Sequence, residues 1–213
     1  MVYKVKEIYL TLQGEGFHSG RKAVFCRFSG CNLWNGLEKS RKSAKCSFCD
    51  TDFIGYDGEN GGKYTLLELS KKIDIVNNKN NSSNKVKDLI VFTGGEPLLQ
   101  LNEELINNLK KKNYEIAVET NGTLAAPKGI DWICVSPKIK SKTILKSGNE
   151  LKLVYPQKGL RLKDYENLNF DHFYLQPLYD NKYKENLKKT LEVIMKSQKW
   201  KLSLQTHKYI GIN

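Results

Sequence analysis

Short apolar runs that close on polar, turn-forming residues recur along this 213-residue chain, and they limit its possible folds more than any other feature. Leu89-Ile-Val-Phe92 leads into Thr93-Gly-Gly-Glu-Pro97, and Glu115-Ile-Ala-Val118 into Glu119-Thr-Asn-Gly122. Trp132-Ile-Cys-Val135 leads into Ser136-Pro-Lys138, Glu150-Leu-Lys-Leu-Val-Tyr155 is a further run, and Phe173-Tyr-Leu175 ends in Gln176-Pro177. Runs of this length bounded by turn residues read as buried strands. The helices and long connections between them predict parallel βα units. The expected fold is α/β with mostly parallel strands, built as one domain over residues 1–213. Parallel sheets gather ligands at the C-terminal ends of their strands. Thr93, Gly94, Gly95, Glu96, Glu119, Asn121, Ser136, Lys138 and Gln176 are therefore expected on one rim.

The remaining stretches fit the same plan. Residues 2–9 alternate like a strand, and Thr11-Leu-Gln-Gly-Glu-Gly16 is a glycine-punctuated loop. Residues 23–29 form a second strand that carries Arg27 among apolar neighbours. A charge there needs a partner, either a structural carboxylate or an anionic ligand. Helices are expected from an N-cap Thr65 to Val76, after the Gly-Gly-Glu-Pro turn through about Lys112, and over 182–196. Residues 200–204 read as a last strand. Residues 55–62 and the polar tract 77–84 read as loops.

Three of the five cysteines, Cys31, Cys46 and Cys49, fall within nineteen residues. Cys46 and Cys49 form a C-x₂-C pair, whose tight turn can point both sulfurs at one metal centre. A closed structural zinc site takes four ligands. A cubane iron–sulfur cluster on three thiolates leaves one iron open for a ligand that is not protein. Cys26 and Cys134 lie inside apolar runs and read as packed core residues.

The net charge is +12, carried mostly by lysine. The lysines at 71, 72, 110–112, 188 and 189 fall on amphipathic helices rather than in one basic arm, so nucleic acid is not an expected partner. The same charge suits steering of an anionic small molecule or an acidic redox protein. No apolar run is long enough for a transmembrane helix, and the N-terminal residues lack the apolar region of a signal peptide. The expectation is a cytoplasmic protein with reduced thiols.

The three-cysteine claw, the Gly-Gly-Glu-Pro turn and the α/β alternation together resemble the radical S-adenosylmethionine superfamily. The usual superfamily spacing is C-x₃-C-x₂-C, whereas fourteen residues separate Cys31 from Cys46 here. With Leu12-Gln-Gly-Glu-Gly16, Phe25-Cys-Arg-Phe-Ser-Gly-Cys-Asn-Leu-Trp34 and Phe48-Cys-Asp-Thr-Asp-Phe53, nearly the whole chain resembles the 7-carboxy-7-deazaguanine synthase family, some members of which share the expanded loop.

The resemblance implies an incomplete, truncated (βα) barrel that forms a homodimer. It implies a [4Fe–4S] cluster on Cys31, Cys46 and Cys49, with S-adenosylmethionine on the open iron, and Mg²⁺ on Thr51. Electrons would come from a flavodoxin- or ferredoxin-like donor. The radical so generated would take hydrogen from C6 of 6-carboxy-5,6,7,8-tetrahydropterin. Ring contraction and loss of ammonia would then give 7-carboxy-7-deazaguanine, a step toward queuosine and related deazapurines. By motif, Leu12, Gln13, Gly14, Glu15, Arg27, Thr93 and the C-terminal Asn213 would meet the substrate. Phe48, Cys49, Asp50, Gly95, Glu119, Ser136, Pro137, Lys138 and Gln176 would meet S-adenosylmethionine. Glu15 serves equally as a loop-closing group, and Glu119 and Asn121 as strand-end caps. His207 receives no role. Two rivals remain at this point. One is an activase generating a glycyl radical on a partner protein, and the other is a zinc-ribbon nucleic-acid module using His18 or His207 as fourth ligand.

Overall fold

The computed structural model describes residues 1–78 and 87–212. Among the described residues nine strands form one sheet: β1 (Tyr3–Leu12), β2 (Lys22–Phe28), β3 (Gly62–Tyr64), β4 (Asp88–Gly94), β5 (Tyr114–Thr120), β6 (Trp132–Val135), β7 (Ser147–Tyr155), β8 (Asn169–Pro177) and β9 (Trp200–Leu202). Their spatial order is β3-β1-β2-β4-β5-β6-β7-β8-β9. Every pairing from β2 to β9 is parallel. β1 runs antiparallel to both β2 and β3. β3 and β9 are the two outer strands, so the sheet stays open, as a truncated barrel requires.

The helices are α1 (Leu66–Val76), α2 (Glu103–Lys111), α3 (Lys163–Glu166), α4 (Tyr183–Ile194) and α5 (Thr206–Ile210). α1 begins on a capping box in which Thr65 and Glu68 satisfy one another's backbone N–H groups. α2 starts later than the pattern suggests. Pro97 first imposes a 3₁₀ turn, Pro97–Leu99, and Asn102 then caps the helix proper. The expected lysines do lie on α1, on α2 with its C-cap Lys112, and on α4. The residues 55–62 loop is followed by β3, an edge strand too short and glycine-led to register as an apolar run. The polar tract is described only through Asn78, and Asn213 lies outside the described residues. Among the described residues no helix is long and apolar enough to cross a membrane.

The period-two alternation of the strands decides what each face does. Val24, Cys26, Phe28, Ile90, Phe92, Ile116 and Val118 point to one face and pack with Leu69, Ile73, Leu105 and Leu109 of α1 and α2. Leu151, Leu153 and Leu175 extend that core with Trp200. The residues between them point to the other face. There Tyr9, Phe25, Val91 and Ala117 form a smaller apolar cluster. Toward the strands' C-terminal ends the same positions become Arg27, Thr93, Glu119, Lys152 and Gln176, which all line one pocket.

Candidate active site

The pocket is about 440 Å³, of a size that takes a small-molecule substrate beside a cofactor. One wall is the cysteine loop. Cys31, Cys46, Phe48, Cys49, Asp50 and Thr51 all line it. The loop has its own small core, Trp34, Ala44 and Phe53, against which Cys31 and Cys49 pack. The expanded segment folds as a 3₁₀ turn, Glu38–Ser43, and Arg41 lies over the Trp34 ring while donating to the Cys49 carbonyl at 2.8 Å.

All three thiols are free. The Cys46 thiol beside Cys49 holds Cys49 down to about 6, with Thr51 and Lys138 contributing and burial opposing. The same contact, with burial, pushes Cys46 well up. Burial also raises Cys31. The pocket wall thus carries three thiols, of which Cys49 is drawn toward the thiolate, the form that ligates metal. A mononuclear zinc site would need four ligands on one point. Among the described residues no three histidine, cysteine or acidic side chains are so gathered. The three-sulfur set fits an iron–sulfur cluster held at separate irons and open at one of them.

Gly95 explains how strand β4 meets this loop. A Cβ there would collide with the Gly30 carbonyl oxygen and with Cys31 Cβ. Replacing Gly95 with alanine should therefore displace Cys31. The expected result is a several-fold loss of iron bound after reconstitution, measured colorimetrically, with the helical circular dichroism retained. Full iron content would show that the loop yields without cost.

Opposite the cysteines lies a polar floor. Lys152 is buried and donates to Glu15 at 2.5 Å and to Glu119 at 3.3 Å. Gln176 and Gln205 also donate to Glu15, at 3.1 and 2.9 Å. Glu119 accepts from Gln13 at 3.1 Å and from Thr93 at 3.4 Å. Burial works against the Glu15 carboxylate, but Lys152 and its other donors outweigh it and bring it down to about 2. The attraction of Glu119 and Glu15 overcomes the burial of Lys152 and holds its ammonium well above its usual value. Glu15 is thus tied into the floor by Lys152, Gln176 and Gln205.

Arg27 lines the pocket with a structural partner in place. Its Nε donates to Glu7 at 2.7 Å and its Nη2 to Tyr9 at 3.2 Å. Nη1 has no hydrogen-bond partner among the described residues. Antiparallel pairing of β1 on β2 sets Glu7 directly across from Arg27.

Glu96 of the Gly-Gly-Glu-Pro turn is fully buried and ties two strand ends together. It accepts from Thr120 Oγ1 at 2.6 Å, the Asn121 N–H at 2.8 Å and the Leu98 N–H at 3.0 Å. Asn121 caps the end of β5, accepting from Thr123 and donating to Asn32 at 3.0 Å, while still lining the pocket. Ser136 and Lys138 line it too, with Lys138 folded onto Ser136 Oγ at 2.7 Å. Pro137 between them is buried and does not line it. Beside Thr51, Asp50 is held by Lys208 at 2.7 Å and Asp52 by Lys6 at 2.8 Å. Leu12, Gln13 and Gly14 also line the pocket.

Residues the motifs did not nominate also line the pocket, among them Lys152, Gln205, His207 and Tyr9. Lys152 carried the same signal as Arg27, a charge inside an apolar run. His207 packs so tightly on Gly14 that a Cβ at Gly14 would collide with its ring. Cys134 is buried, as expected, but its neighbours include charged groups. It is buried on the pocket face, among Glu150, Lys152 and Glu119, rather than in the apolar layer. Cys26 does sit in that layer.

Comparison with known proteins agrees with this geometry. The Radical SAM superfamily model matches residues 43–144. The 7-carboxy-7-deazaguanine synthase of Bradyrhizobium diazoefficiens is 51% identical over the full length of both chains. That of Caulobacter vibrioides is 49% identical, again over both full lengths. The crystal structure of QueE from Escherichia coli superposes with a TM-score of 0.69 at 23% identity, covering 97% of this chain and 95% of that one, which speaks to the fold. Whole-length identity at this level, on a chain whose three cysteines line the expected pocket, places the protein in the 7-carboxy-7-deazaguanine synthase family of the radical SAM superfamily.

Proposed function

We propose that the chain converts 6-carboxy-5,6,7,8-tetrahydropterin to 7-carboxy-7-deazaguanine and ammonia. The observation that carries this reading is one pocket with three cysteines on one wall and a buried lysine between two carboxylates on its floor. Cys31, Cys46 and Cys49 would hold a [4Fe–4S] cluster, and Gly95, Phe48, Asp50, Ser136 and Lys138 would bed S-adenosylmethionine beside it. When bound, these groups supply the hydrogen-atom abstraction at C6.

The chain's own residues bind and orient. Arg27, held by Glu7 and Tyr9, presents Nη1 to the substrate carboxylate. Glu119 is the acceptor for the N–H groups of the pterin edge, and Lys152 balances its charge with that of Glu15. Gln13, Thr93 and Gln176 fix the rest of the floor. Thr51 offers the hydroxyl for Mg²⁺, a hard ion satisfied by few protein oxygens. The lysines on Asp50 and Asp52 engage the acidic alternatives, which supports Thr51 in that role. The protein would act in a reducing cytoplasm as a homodimer, with a flavodoxin- or ferredoxin-like donor steered by the net positive charge.

The test is an anaerobic assay of reconstituted protein with S-adenosylmethionine, reductant, Mg²⁺ and the tetrahydropterin, read by mass spectrometry. The expected product is 7-carboxy-7-deazaguanine. Accumulation of 5′-deoxyadenosine alone would mean that the substrate is wrong.

A further inference from the structure

Behind the pocket floor lies a second cavity of about 10 Å³, lined by His18, Trp132, Cys134 and Glu150 and, from the pocket side, by Gln13 and Glu119. That volume holds one water. Two buried polar atoms at this cavity have no nitrogen or oxygen partner: His18 Nε2, and Glu150 Oε1 of the carboxylate that the Cys134 thiol faces. Unpartnered buried polar atoms are rare in folded proteins, and here both belong to residues that border the same water-sized space. The Glu150 side chain is fixed in place. It is 3% exposed, and its Oε2 accepts from the Phe17 N–H at 3.1 Å. Gly16 permits this, because a Cβ there would collide with the Glu150 carboxylate. His18 is only half-buried, with its ring edge-on to Phe17 and Trp132. It thus spans the distance from solvent to the cavity.

We infer that one buried water joins His18 Nε2 to Glu150 Oε1, and that this pair carries protons between solvent and Glu119 on the floor of the substrate pocket. The inference rests on the functional reading above. Loss of ammonia breaks a C–N bond, whose electron pair leaves on nitrogen. A neighbouring C–H bond gives its pair to the new C=C bond and its proton to a base. Nitrogen leaves as ammonium after taking a proton from solvent. Glu119 accepts the carbon's proton and passes it through the water to Glu150 and His18, and His18 releases it to solvent. Each turnover then returns every group to its starting state.

The surroundings suit this traffic. Burial raises the Glu150 carboxyl, opposed by Lys152, by the Phe17 N–H and by the Cys134 thiol, while Glu119 adds to the rise. Burial, Arg21 and His172 lower His18, against Glu115. Cys134 and Tyr174 are the remaining titratable groups facing Glu150.

Two measurements test the conduit. The chain has three histidines, so each can be followed by NMR through a pH titration of the protein without substrate. Glu150→Gln keeps the Phe17 contact but removes the carboxylate. It should lower the His18 midpoint by about half a unit or more, and leave that of His207 in place. His18→Phe keeps the ring packing but cannot pass a proton. It should lower kcat for the deazapurine about tenfold and remove the acidic limb of the pH profile, at unchanged KM. A His18 midpoint indifferent to Glu150→Gln, or a wild-type pH profile in His18→Phe, would overturn the conduit alone. Wild-type protein that forms no deazapurine would overturn the functional reading and with it the conduit's purpose.

Discussion

Replacing Lys152 with methionine is expected to cost about 3 kcal/mol of stability at neutral pH, because it strands two partly buried carboxylates. Glu15 and Glu119 lie at 2.5 and 3.3 Å from the ammonium, whose side chain is only 7% exposed. Methionine fills the volume but neutralises nothing. The effect should depend on pH in a defined direction. Glu15 has a folded-state value near 2, below its ordinary 4.5. Its stabilisation is present above the ordinary value and is lost as pH falls from there toward 2. The wild type should therefore weaken through that window, while the variant, lacking the pair, has little left to lose. Urea titrations of both proteins at pH 7 and pH 3 would show the gap narrowing. A gap at pH 7 below about 1 kcal/mol, the value of an exposed pair, would mean that water reaches this floor freely.

Cys49→Ala should abolish product formation while leaving the fold intact. Cys49 is only partly buried, and its side chain packs on a loop with its own core. Alanine removes one sulfur and few contacts, so circular dichroism and the urea midpoint should barely move. Iron binding should fall, because two thiolates remain where three converge. Neither 5′-deoxyadenosine nor the deazapurine should form above background. Wild-type turnover in this variant would exclude Cys49 as a ligand, and would reopen the question of what the three cysteines hold.

Much of this arrangement was visible in the amino-acid order. Strands β4, β5, β6 and β8 announce themselves by short, continuous apolar runs at their buried centres, and β7 by one broken only at Lys152. Since parallel strands all point one way, the polar residues after each run had to share an edge. Spacing singled out Cys31, Cys46 and Cys49 and the turn at Ser136 to Lys138, and motif resemblance added the groups that each would meet. Pairings that depend on unlike neighbours were not visible. Nothing local says that β1 lies antiparallel on β2, so Glu7 could not be matched to Arg27. Lys152 was overlooked although its run, Leu-Lys-Leu, poses the same question as Arg27: what neutralises a charge among leucines? The burial of Cys134 was legible but its polar surroundings were not, because β6 reads as wholly apolar while its alternate positions face the pocket.

The pocket floor is stitched between segments that leave the ribosome far apart in time. Gln205 donates to Glu15 across 190 positions, Gly16 donates to Ser203 across 187, and Thr206 donates to the Gly14 carbonyl across 192. Closing so long a loop is slow compared with forming any βα unit. The helix-backed core can thus condense first, leaving the Gln13–Gly16 loop loose until β9 and the segment after it arrive. Competence for catalysis should be the last property a newborn molecule acquires. The amides of Gly16 and Thr206 should gain protection from hydrogen exchange later than those of β4 in a refolding time course.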